Sequence, residues 1–392
     1  MQIKNLLKTE IQEFINTNLD ASIQLLALKK NPFPEVNYAD IVNQIGAKQK
    51  AKTKLPTWFK TQEIVFPAKI SIEQTSSEKT AKYKANLVAG KTLIDLTGGF
   101  GIDDYYFSKK IANVTHCEIN EDLSEIVAHN FSKLETNNIK CININSTDFL
   151  NQTNQNYDYI YVDPSRRSDL KGKVFLLQDC EPNVPELLSL YFSKTKNILV
   201  KTAPILDIQA GINQLKNVKE VHIVALENEV KELLWKLEKN YAGAVTIFSV
   251  NIEKENIETV ETTFSKEYSA TFSLPKTYLY EPNVSLLKSG NFNAISTHYK
   301  IDKLHLHSHL YTSDEKIDFA GRTFKIDKII PFQKKEIKEE IINSKMNVTT
   351  RNFPLKVEEI KKKYKIKDGG TVYAFFTTNI KNQKIVLICT KI

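Results

Sequence analysis

The chain has 392 residues, too many for one ordinary core, so two or three domains are expected. Hydrophobic content of 41% and charged content of 26% are those of a globular protein. No apolar run approaches the roughly 18 residues of a membrane helix, and MQIKNLLKTEIQEF lacks a leader's apolar stretch, so a cytoplasmic protein is expected. Net charge is +8, yet of the 54 basic residues four are arginine: Arg166, Arg167, Arg322 and Arg351. From residue 320 onward, 17 Lys or Arg stand against 7 Asp or Glu, which leaves the rest of the chain slightly acidic. That concentration suits a surface facing phosphates.

Residues 1–75 read as helices joined by loops. Ile11, Phe14, Ile15 and Leu19 recur at helical spacing, Ile23 to Leu28 follows, and a short helix is expected at Tyr38 to Ile45 beyond the break Asn31-Pro32-Phe33-Pro34. Residues 76–252 then alternate between strands and helices. Strands are expected at Thr92–Leu96, Val114–Glu118, Lys140–Ile144, Tyr157–Val162, Asn197–Lys201, Glu220–Leu226 and Val245–Asn251. The helix Glu121–Leu134 would bury Ile126, Val127 and Phe131, and a long helix Glu227–Leu237 would precede the last strand. This order gives an α/β fold, a seven-stranded Rossmann-like domain whose seventh strand inserts antiparallel. Residues 253–318 read as an α+β segment, with the helix Val284–Ser289 after TYLYEP and strand-rich stretches beyond it. Residues 319–392 read as strand, helix (Gln333–Asn343), strand, helix (Lys356–Tyr364), the turn Asp368-Gly369-Gly370 and a closing hairpin.

The segment LIDLTGGFGID joins an apolar strand to a glycine-rich turn. Glycine is needed where the backbone turns sharply and lets a ligand approach a helix N-terminus. Dinucleotide enzymes use G-x-G-x-x-G for this turn. Here Asp95 stands three residues before Gly98, with Gly99 and Gly101 following, and Thr97 occupies a place often held by glycine. This spacing matches the S-adenosylmethionine loop, in which the acid orders the turn and helps hold the methionine ammonium. Glu118, 23 residues on, ends the second strand where an acid can take both ribose hydroxyls. Asp148 in NSTDFL stands where an acid can accept from the adenine amino group. Asp103, Asn120 and Asp163 complete the expected cofactor set. A nicotinamide dinucleotide is the competing ligand, but it leaves Asp95 without a role.

The fourth strand ends in Asp163-Pro164-Ser165-Arg166-Arg167. Ligand crevices of open α/β sheets lie outside the carboxyl ends of the strands, so Asp163, Pro164, Ser165 and Arg166 face the reacting methyl group. The run resembles the D-P-P-Y loop of amino-methyltransferases, in which the Asp carboxylate and a following carbonyl accept hydrogens of the target amine. Arg166 replaces the aromatic residue, and a guanidinium can stack on a base or grip a phosphate. The alternative for Arg166 and Arg167 is an ion pair with Asp169 or Glu181. Asp179 is a further substrate contact. Cys180, in the same QDCEPN loop, could be a nucleophile for pyrimidine C5 methylation, but no neighbouring Lys or His lowers its pKa, and a structural thiol is the plainer reading. Cys117, Cys141 and Cys389 lie in apolar runs, and no C-x-x-C pair marks a metal or disulfide framework. His305, His307 and His309 alternate as on one strand face, polar and exposed unless further ligands make a metal site. No metal is expected.

Beyond single motifs, the chain resembles a bacterial family of class I methyltransferases with a ferredoxin-like segment and a C-terminal THUMP-like domain. The matching stretches are SSEKTAKYKA, LIDLTGGFGID, DPSRR, GKVFLLQDCEPN, YLYEPNVSLLKSG, RNFPL and KDGG. The resemblance implies S-adenosylmethionine as cofactor and tRNA or rRNA as substrate. The basic charge of the C-terminal module supports RNA independently: Arg351, Lys361, Lys362 and Lys363 are expected at phosphates, beside Phe353, Tyr364, Tyr373, Phe375 and Phe376, some of which must be core. Two other functions fit the same residues: a protein or small-molecule methyltransferase, and a non-catalytic RNA-binding protein that retains the cofactor fold.

Overall fold

The computed structural model describes residues 3–67, 72–73, 75–166, 176–254 and 256–392. The chain divides into two compact units, Met1–Lys219 with Leu233–Gly243, and Glu220–Glu232 with Ala244–Ile392. Among the described residues no helix is long and apolar enough to cross a membrane.

The first unit opens with helices at Thr9–Thr17, Ile23–Ala27, Tyr38–Lys54 and Pro56–Lys60. The helix from Tyr38 runs nine residues past its expected end because Lys48 and Ala51 still bury a face there. The helix Glu78–Ala85 starts at a capping box, with Ser77 and Thr80 satisfying each other's backbone. Strands β1 (Thr92–Asp95), β2 (Asn113–Glu118), β3 (Ile139–Asn143), β4 (Tyr159–Val162), β5 (Ser165–Arg166), β6 (Cys180–Glu181) and β7 (Asn197–Thr202) follow. Parallel pairing gives the order β3-β2-β1-β4-β7. Leu93, Ile94, Ile160, Leu199 and Val200 are fully buried, as in strands covered on both faces. Strand order reverses between β1 and β4, and it is outside the carboxyl ends of strands at such a switch point that open α/β sheets bind ligands. The helix Glu121–Lys133 buries Ile126, Val127 and Phe131 as its spacing predicts, and Asn120 caps it by accepting from the Leu123 amide at 2.9 Å.

One expected helix is a strand. β8 (Val218–Leu226) turns at Glu227-Asn228 into β9 (Glu229–Glu238), and Leu233–Glu238 of β9 runs antiparallel to β7. Both turn residues have positive φ, 51° and 58°, which a two-residue hairpin turn demands and Asn tolerates. The antiparallel strand of the Rossmann-like sheet is therefore β9, and Val245–Asn251 is not the seventh strand.

In the second unit, β10 (Thr246–Glu253) pairs parallel with β8 and antiparallel with β11 (Asn256–Thr263). A separate seven-stranded sheet holds β12 (Tyr278–Pro282), β13 (Asp302–Lys303), β14 (Tyr311–Ser313), β15 (Gly321–Pro331), β16 (Asn347–Arg351), β17 (Val372–Thr378) and β18 (Lys384–Lys391). Its order is β13-β14-β12-β15-β18-β17-β16. The stretch after Ser289 expected to be strand-rich forms a helix, Phe292–Tyr299, before the short β13 and β14. Helices Lys334–Glu340 and Val357–Tyr364 cover the C-terminal half through Ile337 and Ile360.

Candidate active site

Asp95 ends β1 with 2% exposure, and its Oδ1 accepts from the Thr97 amide at 2.7 Å and the Thr97 hydroxyl at 3.1 Å. Burial pushes this carboxyl well above the usual range, and Asp104 nearby adds to the rise. The Gly98 amide donates to the Cys117 carbonyl at 2.9 Å, which seats the turn against β2. A Cβ on Gly98 would stand 2.2 Å from Cε1 of His116, so only glycine lets the loop lie this low. His116 is wholly buried and shares a 2.6 Å hydrogen bond with Asp104, also wholly buried. Burial lowers the imidazole pKa and raises that of the Asp104 carboxyl. Gly101, at φ +73°, turns the chain into the helix Ile102–Phe107 and lies against Phe131 and Val127.

Glu118, at the end of β2, accepts from the Gly99 amide at 3.0 Å and the Asn120 amide at 2.8 Å, one on each oxygen. Two backbone donors thus aim its carboxylate, and each oxygen keeps a second lone pair for a ligand. Asn120 contributes that amide, while its own side chain is used as the helix cap. Beside them Ile119 is 68% exposed, an apolar surface next to an aimed carboxylate. Asp148 is exposed in the first turn of the helix Ser146–Gln152.

Asp103 has partners within the protein. Its Oδ2 accepts from Tyr161 at 2.7 Å and Ser76 at 3.0 Å, and Lys84 pairs with Oδ1 at 3.3 Å. Burial alone would raise its carboxyl, but Lys84 and Lys201, with the Tyr161 and Ser76 bonds, hold it below the usual range. Asp103 therefore ties the helix Glu78–Ala85 to the sheet, with Oδ2 taking both hydrogen bonds and Oδ1 facing the Lys84 ammonium. Lys84 and Ser76 belong to the SSEKTAKYKA motif, whose Glu78 is also buried and accepts from the Tyr106 hydroxyl at 2.6 Å.

Asp163 follows β4 at the switch point. Its amide donates to the Thr97 hydroxyl at 2.7 Å, and its Oδ2 forms an ion pair with Lys201 at the end of β7. Pro164 is buried. Ser165 and Arg166 pair antiparallel with Glu181 and Cys180, so the DPSRR and QDCE motifs form one small ribbon. Asp179 is half-buried in the turn Leu177–Asp179 that enters this ribbon. Cys180 is fully buried, its thiol directed at the Leu176 carbonyl at 3.7 Å, which is the structural reading. Arg167 and Asp169 lie outside the described residues. Cys141, expected in the core, is half-buried, whereas Cys117 and Cys389 are fully buried, and burial pushes the Cys117 thiol up to about 12.

Lys201, Lys84, His116 and Asp104 were not legible as site residues. A signal existed for two of them: Lys201 ends the apolar run NILVK, and His116 interrupts the apolar run VTHC. A polar residue in a buried strand needs a partner.

In the second unit, Arg351 does not present its guanidinium freely. Its Nη2 donates to Glu281 Oε1 at 2.8 Å, and Arg322, opposite Glu281 in the β12–β15 pair, grips Oε2. Glu281 is 4% exposed, so these two half-buried arginines neutralise a buried carboxylate of the YLYEPN motif. Glu281→Ala is expected to destabilise this unit by about 3 kcal/mol, the lower end of the cost of stripping a buried ion pair, because water reaches the guanidiniums. Denaturant unfolding measures it, and a midpoint unchanged from wild type would contradict the pairing. Lys361 is paired with Asp368 at 2.7 Å, while Lys362 and Lys363 are exposed. Phe375 and Phe376 are fully buried, and Phe353, Tyr364 and Tyr373 pack on the same cores, so these aromatics build the module. His305, His307 and His309 lie in a turn, not on a strand, and φ of 50° at His309 breaks the alternation. His309 stacks on Phe292, and burial brings its pKa down to about 4. Among the described residues no cluster of three or more His, Cys, Asp or Glu could hold a metal ion.

A family model described as THUMP domain-like matches residues 321–391, and one described as a ferredoxin-like domain matches residues 278–319. The fold is similar over 99% of this chain and 98% of the other to a Porphyromonas gingivalis W83 protein named as a methyltransferase, with a TM-score of 0.86 and 31% identity. Partial similarities reach a methyltransferase of Escherichia coli (TM-score 0.32, 18% identity, 44% of this chain and 90% of that one). Another is an rRNA methylase of Streptococcus thermophilus (TM-score 0.30, 13% identity, 41% of this chain and 94% of that one). No curated protein matches the sequence.

Proposed function

The chain belongs to the bacterial family of class I methyltransferases with a ferredoxin-like segment and a C-terminal THUMP-like domain, and we propose that it methylates a base nitrogen in structured RNA, tRNA or rRNA, from S-adenosylmethionine. The observation that carries this reading is the placement of Asp163: one hydroxyl, that of Thr97, joins its amide to the Asp95 carboxyl of the glycine loop.

The residues present fit the cofactor. Gly98 lets the turn lie down against the buried His116, Glu118 is aimed by two amides, and Ile119 offers an exposed apolar face that a purine would cover. Asp95 and the Gly98–Gly99 backbone would hold the amino-acid end, Glu118 the ribose, and Asp148 the adenine amino group. S-adenosylmethionine supplies an electrophilic methyl on a sulfonium. The chain's part is then positioning, because in-line displacement gains most from a fixed approach. Asp163 and the Pro164 carbonyl accept hydrogens of an amine and leave its lone pair directed at the crevice. Arg166, Arg167 and Asp179 are proposed to hold the nucleotide around the target.

RNA is favoured by the charge of residues 320–392 and by the exposed Lys362 and Lys363. If both meet phosphates, Lys362→Ala with Lys363→Ala weakens RNA binding alike for all sequences. It also lowers the slope of log K against log salt by about 2 in filter-binding titrations. An unchanged slope would remove these two lysines from the interface.

The test of the function is transfer of a labelled methyl group to RNA from a strain lacking the protein. Label is expected in tRNA or rRNA. Label confined to protein or small molecules would establish the alternative substrate, and cofactor binding without any transfer would point to a non-catalytic RNA-binding protein.

A further inference from the structure

We infer that Lys201 and Thr97 are positioning residues that clamp Asp163, Lys201 on its carboxylate and Thr97 on its backbone, and that this clamp leaves one carboxylate oxygen for the methyl acceptor. The inference rests on the acceptor role given to Asp163 above.

An aspartate at the end of a strand has two side-chain torsions, and a carboxylate facing a solvent crevice turns about both. Asp163 is restrained at two points. β7 lies parallel beside β4, with Val162 level with Val200, so the next residues, Asp163 and Lys201, emerge side by side. The Lys201 ammonium, its side chain 15% exposed, takes Oδ2. The same ammonium feels the buried Asp103 carboxylate, with which Lys84 also pairs at 3.3 Å. Cations and anions alternate here as Lys84, Asp103, Lys201 and Asp163, an arrangement that fixes each charge by its neighbours.

Thr97 supplies the second point. A hydroxyl has one hydrogen. The Thr97 hydroxyl faces Asp95 Oδ1 at 3.1 Å and receives the Asp163 N–H at 2.7 Å, so its own hydrogen goes to Asp95. The hydrogen-bond direction is thereby set from acceptor loop to cofactor loop. This gives a reason for threonine where such loops often carry glycine: glycine could hold the turn but could not join the two loops.

With Oδ2 taken, Oδ1 remains for an N–H of the acceptor. A rotated carboxylate would offer that hydrogen bond in the wrong direction, and a misplacement of about 1 Å can cost on the order of 100-fold in rate.

The experiment compares Lys201→Met, Lys201→Arg, Thr97→Val and Thr97→Ser with wild type. It reads kcat for RNA methylation, the Kd of S-adenosylmethionine by calorimetry, and amide hydrogen exchange at Asp163. Lys201→Met is expected to lower kcat by about 30- to 100-fold with the cofactor Kd within about threefold, and Lys201→Arg to recover most of it. Thr97→Val is expected to speed exchange at the Asp163 amide about tenfold or more, and Thr97→Ser to leave it as in wild type. A wild-type kcat in Lys201→Met, an arginine variant no better than methionine, or a cofactor Kd that weakens as much as kcat would overturn the proposal. Wild-type protein that methylates no RNA would sink the functional reading instead, and exchange at Asp163 would still decide whether Thr97 holds it.

Discussion

Gly98→Ala will weaken S-adenosylmethionine binding by about 100-fold or more and lower the melting temperature of the first unit. The added methyl would stand 2.2 to 2.6 Å from three atoms of the His116 ring. A flexible neighbour could yield, but this ring cannot. It is fully buried, held by Asp104 at 2.6 Å and set edge-on to Phe131. The loop must therefore rise, which breaks the Gly98–Cys117 hydrogen bond and moves the Gly99 amide off Glu118. Overpacking of this kind costs about 1–3 kcal/mol, which for a unit of this size lowers Tm by about 4–8 °C near the middle of that range. Calorimetric titration and a thermal melt measure the two effects. A cofactor Kd within about threefold of wild type would show that the loop has room the geometry denies.

Asp163→Ala carries the second large effect. It removes the proposed acceptor of the target's hydrogen and takes one carboxylate away from the Lys201 ammonium, whose side chain is 15% exposed. Transfer is expected to fall by about 10³-fold in single-turnover kinetics, within the range for a positioned acid–base group. Cofactor affinity should stay within a few-fold, because the Asp95, Gly99 and Glu118 contacts do not pass through the Asp163 side chain. Asp163→Asn should be intermediate: it keeps the shape and one carbonyl oxygen but weakens the Lys201 pair. A variant that loses cofactor binding as steeply as turnover would place Asp163 in the cofactor site alone.

Local spacing made the glycine-rich turn legible. Asp95, the glycines and Glu118 lie at the ends of two adjacent strands, so their separation along the chain largely sets their separation in space. Partners brought together by the sheet were not legible. Lys201 meets Asp163 from 38 residues away and Arg351 meets Glu281 from 70, and nothing in either segment names the other. That is why Arg351 reads as a phosphate contact in the sequence and as an ion-pair residue in the structure. The partners of Asp103 were hidden for the same reason: Lys84, Ser76 and Tyr161 reach it from elsewhere in the chain. The stretch Glu227–Leu237 is a different failure. Val230, Leu233, Leu234 and Leu237 satisfy helical spacing, and what decides the matter is the positive-φ pair Glu227-Asn228, which closes a hairpin before a helix can start.

The most direct test of RNA methylation at Asp163 is nucleoside mass spectrometry on total tRNA and rRNA. It would compare the wild-type strain, a deletion strain, and the deletion strain carrying either the wild-type gene or Asp163→Ala. One methylated nucleoside is predicted to vanish in the deletion, to return with the wild-type gene, and to stay absent with Asp163→Ala. Identical nucleoside profiles in all four strains, or full restoration by the alanine variant, would contradict the assignment.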